Sequence, residues 1–388
     1  MKRLRVGVVY GGRSSEHEVS LASAAAVLAN LDPERYNPLP IYVRRDGRWT
    51  LPPQSPSLVS AADVIQKSGT SATGQHAATV EPDVHLVAHP GNETLLTIQR
   101  GDAADAKGGH TRVEGLTLDV VFPVIHGPFG EDGTLQGLLE LANVPYVGAG
   151  VLSSSVAMDK AVSKVLFEAR QLPVVAYTVV SGNDWDARRA ETLGRVAEHM
   201  AFPLFVKPAN LGSSVGISKV NDVAALEQAI DVARQFDRKV IVEVAVNQPR
   251  ELECAVLGND DPSPSLPGEI IPAGEFYDYE AKYLHDDSKL IIPANLTDDQ
   301  TTQIQTMAMA AFKAIDCAGM ARVDFLMDGA SGQLFLNEVN TIPGFTTISM
   351  YAKMWEASGT SYPQLLNRLI ELALERHTQK QTLRTSAR

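Results

Sequence analysis

The residues best suited to chemistry lie on two predicted strands near the C-terminus. Asp324 stands two residues after Arg322, so both side chains project from one face of a strand. Glu338 and Asn340 are likewise two residues apart on the returning strand. Antiparallel counting from a turn centred near Ser331 predicts that Asp324 lies opposite Glu338, and Arg322 opposite Asn340.

Such a face would carry two carboxylates, an amide oxygen and a guanidinium group. Hard oxygen donors suit Mg²⁺, which takes few protein ligands and completes its coordination with water or substrate phosphates. A solvated polar strand face with a salt bridge would use the same residue types. The hairpin alone does not decide between these two interpretations.

A loop of small residues follows a second predicted strand, in the segment KPANLGSSVG at 207–216. Backbone N–H groups at Gly212, Ser213 and Ser214 can cradle phosphate oxygens, while Lys207 supplies positive charge. The segment is neither a Walker loop nor a dinucleotide-binding fingerprint. An ordinary β-turn remains the alternative.

Three further segments carry charged or polar groups at predicted element ends. Lys160 follows Asp159 at the start of a predicted helix, where a cation opposes the helix dipole and needs an anionic partner or solvent. Glu16 and Glu18 follow the first strand and would favour an ammonium group, although acidic residues are also stabilised there by the dipole. The segment that begins at His126 is a site candidate or a structural glycine turn.

The elements that hold these residues predict an α/β fold in three units. The first unit, 1–146, has a strand at 4–10, a helix with a capping box formed by Ser15 and Glu18, a strand at 118–125 and a helix at 134–141. Residues 50–115 have weak periodicity and are predicted to be a peripheral insertion of short strands, at 80–86 and 94–98, and mobile loops.

The second and third units are predicted to be 147–238 and 239–376, followed by a polar tail at 377–388. The second unit has a helix capped by Asp159, strands at 203–208 and 215–220, and a helix capped by Asn221. The third unit has a helix of about fifteen residues from Asp298, a C-terminal helix at 362–376, and six strands. These strands are predicted at 239–244, 251–257, 269–272, 289–292, 321–327 and 333–339.

Composition limits the possible partners. A net charge of −12 argues against nucleic acid or an anionic membrane surface as a partner. No apolar stretch approaches the roughly 18 residues of a membrane span, and a cytoplasmic location is expected. Cys254 and Cys317 lie far apart without metal-like spacing, so we expect two buried apolar residues and no disulfide framework.

Taken together, these segments resemble the D-alanine–D-alanine ligases of the ATP-grasp superfamily. The resemblance covers nearly the whole chain except about 50–115 and the tail, and the motifs occur in the family's order. It implies a three-domain ATP-grasp architecture, with ATP between the sheets of the central and C-terminal domains. The motifs are GGRSSEHEVSL at 11–21, HGPFGEDGTLQG at 126–137, MDK at 158–160, KPANLGSSVG at 207–216, FYDYEAKY at 276–283, RVDF at 322–325 and NEVNTIPGFT at 337–346.

For the nucleotide, the resemblance implies phosphate contacts from Lys160 and Lys207, and closure of the loop at 213–216 over the γ-phosphate. Gly212, Ser213 and Ser214 would be among the ATP-binding residues. Two Mg²⁺ ions, for which Mn²⁺ can substitute, would be held by Asp324, Glu338 and Asn340. The remaining ATP contacts would come from Glu243, Val244 and Val246 for adenine, Glu251 for ribose, and Lys282. Val244 departs from the family pattern, which has a lysine there, and this shifts adenine contacts towards the backbone.

For the amino acids, the resemblance implies that Glu16 binds the ammonium group of the first D-alanine. Glu16, Ser213 and Tyr283 would form a closing contact that clamps the segment 275–288 over the site. The other substrate contacts would be Arg322 and Gly344 at the oxyanion, Ser349 and Met350 at the second D-alanine's carboxylate, and His126 and Lys282 nearby.

The implied activity is ATP-dependent formation of D-alanyl-D-alanine through a D-alanyl phosphate, for peptidoglycan precursor synthesis. The expected partners are D-alanine and ATP, and the family also suggests a homodimer. A ligase that makes D-alanyl-D-lactate, a noncatalytic nucleotide-binding regulator and a nicotinamide-dependent dehydrogenase are the alternatives. The Lys282–Tyr283 pair favours dipeptide formation over D-lactate, and the glycine spacing at 11–16 disfavours a dehydrogenase.

Overall fold

The computed structural model describes residues 2–56, 82–91, 93–100, 111–272, 289–346 and 348–384. The predicted lid at 275–288, with Lys282 and Tyr283, lies outside these residues. Three sheets and the helices packed on them make up the described part of the chain, in agreement with the predicted α/β architecture.

The first sheet has seven strands in the order β6-β5-β4-β3-β2-β1-β7, and β1 pairs in parallel with β2 and β7. The first strand is buried from Val6 onward because the sheet is covered on both faces there. The elements of this unit are β1 (Leu4–Gly11), α1 (His17–Asn30), β2 (Tyr36–Val43), β3 (Trp49–Thr50), β4 (Asp83–Leu86), β5 (Leu95–Arg100), β6 (Thr111–Leu116), β7 (Val120–Pro123) and α2 (Thr134–Leu141).

The start of α1 differs from the prediction. Glu16 occupies the N-cap position and makes no side-chain capping hydrogen bond, so the predicted capping box of Ser15 and Glu18 is wrong. Glu18 instead forms an ion pair with Arg45. The tertiary contact replaces the local one.

The insertion extends the first sheet. Strands β3 to β6 pair antiparallel in sequence order beyond β2, so this segment lengthens one edge of the sheet. The strands predicted at 80–86 and 94–98 are confirmed as β4 and β5, while β6 was not predicted. Residues 57–81 and 101–110 lie outside the described residues.

Two helices, α3 (Val151–Met158) and α4 (Lys160–Ala169), follow the first sheet. Asp159 caps α4 as predicted, because its carboxylate accepts the backbone N–H groups of Ala161 and Val162. Although both helices belong to the predicted central unit, Ala157 and Phe167 pack in the core formed by the third sheet.

The central sheet has four strands in the order β10-β9-β11-β8, and every neighbouring pair is antiparallel. Strand β11 therefore belongs to this sheet, whereas the sequence predicted that it opens the third unit. Asp222, and not the predicted Asn221, caps helix α7. The elements are β8 (Tyr177–Ser181), α5 (Gly182–Ala187), α6 (Arg189–His199), β9 (Leu204–Pro208), β10 (Ser218–Val220), α7 (Val223–Ala233) and β11 (Lys239–Val244).

The third sheet has the order β15-β14-β12-β16-β17, with β13 paired to β12. Helix α8 starts with a capping box of Thr297 and Gln300. Helix α9 was not predicted, and α10 is longer than predicted. The elements are β12 (Arg250–Gly258), β13 (Ser263–Pro264), β14 (Gly268–Ile271), β15 (Lys289–Ile291), α8 (Asp298–Ala314), β16 (Gly319–Met327), β17 (Leu334–Asn340), α9 (Met350–Ala357) and α10 (Tyr362–Gln381).

The predicted pairing in the β16–β17 hairpin is confirmed, because Arg322 lies opposite Asn340 and Asp324 opposite Glu338. Nearer the turn, however, Phe325 lies opposite Leu336. Asn337 is thus one extra residue on β17, a β-bulge.

The first and third units share one core. Phe122 of the first sheet packs edge-on against Phe345, and the same cluster contains Tyr351 of α9 and Leu366 of α10. Arg376 on α10 donates hydrogen bonds to the backbone carbonyls of Tyr146 and Gly148, where the first unit ends. Within the described residues, no helix is both long and apolar enough to cross a membrane.

Candidate active site

A cavity of about 950 Å³ opens between the central sheet, the third sheet and the strand-end loops of the first unit. Every predicted site residue that falls within the described part of the chain lines it. Sequence motifs near opposite ends of the chain, from Glu16 to Met350, therefore converge on one space. These lining residues are Glu16, His126, Lys160, Lys207, Gly212, Ser213, Ser214, Glu243, Val244, Val246, Glu251, Arg322, Asp324, Glu338, Asn340, Gly344, Ser349 and Met350.

Two lysines and the small-residue loop form one end of the cavity. Lys160 Nζ donates a hydrogen bond of 2.6 Å to the Leu211 carbonyl and lies 3.8 Å from Glu338 Oε2, so its anionic partner is a carboxylate of the hairpin. Ser213 and Ser214 both have positive φ angles, 55° and 57°. Two successive left-handed residues curve the backbone into the kind of concavity that binds anions.

The second lysine, Lys207, is held by Glu243. Its Nζ donates a hydrogen bond of 2.6 Å to Glu243 Oε2, and Nζ of Lys164 lies 3.0 Å from Oε1 of the same carboxylate. Burial opposes ionisation of Glu243, but the two lysines together lower its pKa to about 2. The Glu243 side chain is thus occupied by ion pairs, while its backbone belongs to the linker that is predicted to bind adenine.

Lys164 was not predicted as a site residue. It lies four residues after Lys160 on α4, a spacing that places both lysines on one face of the helix. That spacing was the available signal, but a lysine on a helix is usually solvated.

The hairpin face contains both the predicted salt bridge and the predicted donor set. Arg322 donates two hydrogen bonds of 2.7 Å to the two oxygens of Asp324, and Asn340 Nδ2 donates one of 2.9 Å to Asp324 Oδ2. Glu253, which was not predicted, lies 3.2 Å from the guanidinium group. Burial opposes the charge of Arg322, yet Asp324 and Glu253 hold its pKa well above the ordinary value.

These residues fit a divalent metal. Asp324, Glu338 and Asn340 present two carboxylates and an amide to the cavity on one sheet face, the donor chemistry that Mg²⁺ prefers. Across the described ranges, no group of three His, Cys, Asp or Glu side chains forms a metal cluster. Two carboxylates and one amide leave coordination positions for phosphate oxygens and water.

Glu16 lies in the cavity against the small-residue loop. Ser213 Oγ donates a hydrogen bond to Glu16 Oε1, which joins the central unit to the first unit. The predicted contact between these two side chains is therefore present, while its third member, Tyr283, lies outside the described residues.

His126 is buried and bridges two elements. Its Nδ1 lies 3.1 Å from the Ile342 carbonyl and its Nε2 lies 2.9 Å from Ser23 Oγ. Ser23 Oγ also accepts the backbone N–H of Phe345. The histidine thus contacts both sides of the backbone around Gly344, and sequence reasoning gave no signal for Ser23 on the buried face of α1.

Glu131 approaches the same histidine, with Oε1 3.5 Å from Nδ1. Burial favours the neutral form of His126, but the hydrogen bond and charge of Glu131, with the charge of Glu16, raise the pKa of His126 above its ordinary value. The Glu131 carboxylate was not predicted as a site residue.

The segment that follows β17 ends at the start of α9. Ser349 immediately precedes this helix, and its Oγ accepts the Thr346 N–H at 2.9 Å. A Cβ placed on Gly344 would lie 3.0 Å from Ser349 Oγ, so the two residues face each other closely. The N-terminus of α9 at Met350 offers backbone N–H groups that suit a carboxylate.

Comparison with known proteins identifies the family. A family model for the N-terminus of D-Ala–D-Ala ligases matches residues 5–149, and one for the C-terminus matches residues 166–371. The chain belongs to the D-alanine–D-alanine ligase family. This membership contradicts the dehydrogenase alternative.

Full-length relatives within the D-alanine–D-alanine ligase family are similar throughout. The D-alanine–D-alanine ligase of Solibacter usitatus is 45% identical over 98% of this chain and 99% of its own length. The ligase of Heliobacterium modesticaldum is 47% identical over 98% of this chain and 97% of its own length.

Solved structures agree with the family and the fold. The D-alanine–D-alanine ligase of Coxiella burnetii has a TM-score of 0.78 and 38% identity, covering 98% of this chain and 97% of its own. The VanG D-Ala:D-Ser ligase of Enterococcus faecalis has a TM-score of 0.76 and 33% identity, covering 96% and 100%. The three-domain ATP-grasp architecture is thereby supported by structural neighbours across nearly the whole chain.

Proposed function

We propose that this protein joins two D-alanine molecules to D-alanyl-D-alanine, with conversion of ATP to ADP and phosphate, for peptidoglycan precursor synthesis. One observation carries the proposal. A single cavity combines a cationic end suited to phosphates, a carboxylate suited to an ammonium group, and a guanidinium beside a glycine backbone suited to an oxyanion.

ATP would lie between the central and third sheets. Lys160 and Lys207 would contact its phosphates, and the loop of Gly212, Ser213 and Ser214 would close over the γ-phosphate. Because the Glu243 carboxylate is engaged by Lys207 and Lys164, adenine would be held by the backbone from Glu243 to Val246. The ribose would contact Glu251, which also lines the cavity.

Asp324, Glu338 and Asn340 would hold two Mg²⁺ ions, for which Mn²⁺ could substitute. When bound, these ions neutralise charge on the transferring phosphoryl group. Lys160, 3.8 Å from Glu338, would add a protein cation at the same place.

In the first half-reaction, Glu16 orients the first D-alanine through its ammonium group. The substrate carboxylate attacks the γ-phosphorus, the bond from that phosphorus to the bridging oxygen of ADP breaks, and D-alanyl phosphate forms. Lys160 and Lys207 stabilise the charge that shifts onto ADP.

In the second half-reaction, the backbone at Ser349 and Met350 holds the carboxylate of the second D-alanine. Its amine, as the free base, attacks the acyl carbon and forms the amide bond. The bond from the acyl carbon to the phosphate oxygen breaks, and the departing phosphate takes up the proton that the amine loses. Arg322 and the Gly344 N–H stabilise the tetrahedral oxyanion. The carboxylates that surround Arg322 keep it cationic throughout.

Closure of the site would exclude water from the acyl phosphate. The Glu16–Ser213 contact supports this role for the loop at 209–216. We propose that Lys282 and Tyr283 complete the closure, with Lys282 reaching both ATP and substrate. A cytoplasmic location and a homodimer are further proposals, consistent with family membership.

Two alternatives concern this same cavity. A D-alanyl-D-lactate ligase would use the same ATP site and differ in its second substrate. A noncatalytic regulator would lack at least one of the groups required for phosphoryl transfer and acyl attack. The cavity contains the groups that such a regulator would lose, namely Lys207, Arg322, Asp324, Glu338 and Asn340. Their presence argues against the regulator alternative.

The test is ADP release with D-alanine, compared with L-alanine, D-serine and D-lactate, together with mass-spectrometric analysis of the product. We expect turnover with D-alanine and a D-alanyl-D-alanine product even in competition with D-lactate. Absence of D-alanine-stimulated ADP release would refute the proposal. The variant Arg322→Met should lose turnover while it retains ATP binding, since the guanidinium acts on the oxyanion.

A further inference from the structure

Lys164 is a lysine in an unusual environment. Its side chain is fully buried beneath the floor of the cavity and does not line it. Its Nζ lies 3.0 Å from Glu243 Oε1 and 6.0 Å from the centre of the Tyr177 ring. Lysine is seldom buried completely, because its desolvated charge must be compensated.

The compensating carboxylate is shared. Oε1 of Glu243 faces Lys164, and Oε2 accepts the hydrogen bond from Lys207. Two cations and one carboxylate leave a net charge of +1 in this buried group. Lys207 and Glu243 alone would form a neutral pair, with much less attraction for a phosphate.

A stabilising role alone does not explain this arrangement. Buried ion pairs are often no more stable than well-packed apolar side chains of similar volume. A methionine or leucine at position 164 could fill the same space without any desolvation cost. The charge of Lys164 is therefore best explained by its effect on Glu243 and Lys207.

We propose that Lys164 is a positioning residue for the nucleotide site, which balances the charge of Glu243 and so leaves the positive charge of Lys207 available to ATP phosphates. Lys160 lies one helical turn earlier on the same face of α4 and approaches Glu338. One face of α4 thus supplies a cation to the cavity, Lys160, and a second cation, Lys164, to the Glu243 carboxylate. This inference rests on the proposed ATP-dependent function.

The test compares Lys164→Met with the double variant Lys164→Met/Glu243→Gln. The dissociation constant of Mg·ATP is measured by calorimetry without D-alanine. The single variant leaves Glu243 to neutralise Lys207, so we expect binding about tenfold weaker. The double variant removes one charge of each sign and restores the net +1, so binding should return to within about threefold of the parent.

Lys239→Met is the matched control. Lys239 also forms an ion pair with a carboxylate at α4, that of Asp159. Unlike Glu243, Asp159 does not form an ion pair with Lys207, the lysine proposed to contact the ATP phosphates. Loss of Lys239 should change Mg·ATP affinity less than about threefold. Equal weakening in Lys239→Met and Lys164→Met, or no rescue in the double variant, would overturn the proposal.

Two further results keep the test decisive. If Lys164→Met does not fold, the double variant decides alone, because affinity within about threefold of the parent supports charge balancing and a larger loss contradicts it. If the parent protein binds Mg·ATP but releases no ADP with D-alanine, the ligase proposal fails and the affinity comparison still tests Lys164. In an active parent, Lys164→Met should raise KM for ATP and leave KM for D-alanine within about twofold.

Discussion

Ser213 Oγ donates a hydrogen bond to Glu16 Oε1, and this contact joins two buried side chains that are 197 positions apart in the chain. One partner belongs to the loop expected to close over the γ-phosphate, and the other is expected to hold the ammonium group of D-alanine. The bond therefore links the nucleotide loop to the amino-acid site, and occupancy of one site should favour order in the other.

The first prediction removes this link. Ser213→Ala should lower kcat/KM for D-alanine by about ten- to a hundredfold, because a hydrogen bond to a charged group contributes roughly 1.5–3 kcal/mol. Steady-state kinetics at saturating ATP measures the effect. Ser218→Ala is the control, since Ser218 starts β10 and does not line the cavity. A loss no larger than that of the control would contradict the link.

The second prediction concerns support of the oxyanion site from outside the cavity. Ser23→Ala leaves the buried Phe345 N–H without its acceptor, so the backbone at Gly344 should shift and kcat should fall about tenfold, with KM for ATP little changed. Ser20→Ala is the matched control on the same helix. Ser20 bonds Gly11 and Val124 instead, so its loss should lower the melting temperature and spare kcat. Parallel effects on kcat in both variants would count against this role of Ser23.

The third prediction is a pH dependence of stability. Glu131 and Glu16 raise the pKa of His126 in the folded protein above the unfolded value near 6.5. A group of this kind contributes stability that is fully present below about pH 6.5 and is lost as the pH rises through the folded pKa. The melting temperature should therefore fall as the pH rises above about 6.5. Glu131→Gln should reduce that fall, and an unchanged fall in this variant would exclude the Glu131–His126 pair as its source.

The fourth prediction tests the metal residues. A chelator should abolish D-alanine-dependent ADP release, and added Mg²⁺ should restore it. Asp324→Asn should raise the Mg²⁺ concentration required for half-maximal activity by at least about tenfold, because a carboxylate ligand is replaced by a neutral amide. Asp328→Asn is the matched control, since Asp328 lies in the hairpin turn and bonds Ser331. Equal Mg²⁺ requirements in both variants would argue against Asp324 as a ligand.

Local patterns predicted much of this fold. The hairpin pairing, the Asp159 cap and the strand at 239–244 follow from alternation, capping chemistry and turn position, which act over a few residues. Sheet membership does not follow from such patterns. Strand β11 has the same sequence signature whether it pairs with β8 and β9 or with β12, and only tertiary packing decides.

Site residues that lie in recognisable motifs could be predicted from the sequence, whereas residues whose roles depend on tertiary packing could not. Glu16, Lys207 and Arg322 lie in motifs that the family resemblance identified. Lys164 and Ser23 lie on helices where a lysine or serine is ordinary, and their roles arise from contacts with β11 and with the segment after β17. The ion pairs of the Glu243 carboxylate could not be predicted either, because they depend on a lysine from another element.

The extra residue Asn337 has a consequence for how this gene can change length. Before it, Leu334 and Leu336 point into the core, whereas after it Val339 does so and Glu338 faces the cavity. Deleting Asn337 would restore plain alternation, with Leu336 still opposite Phe325, Glu338 still facing the cavity and Val339 still in the core. A single-codon deletion there would therefore preserve both faces of the strand, as would a change in the length of the turn at 328–332. Deletion of Val339 would instead turn the Asn340 side chain towards the apolar core.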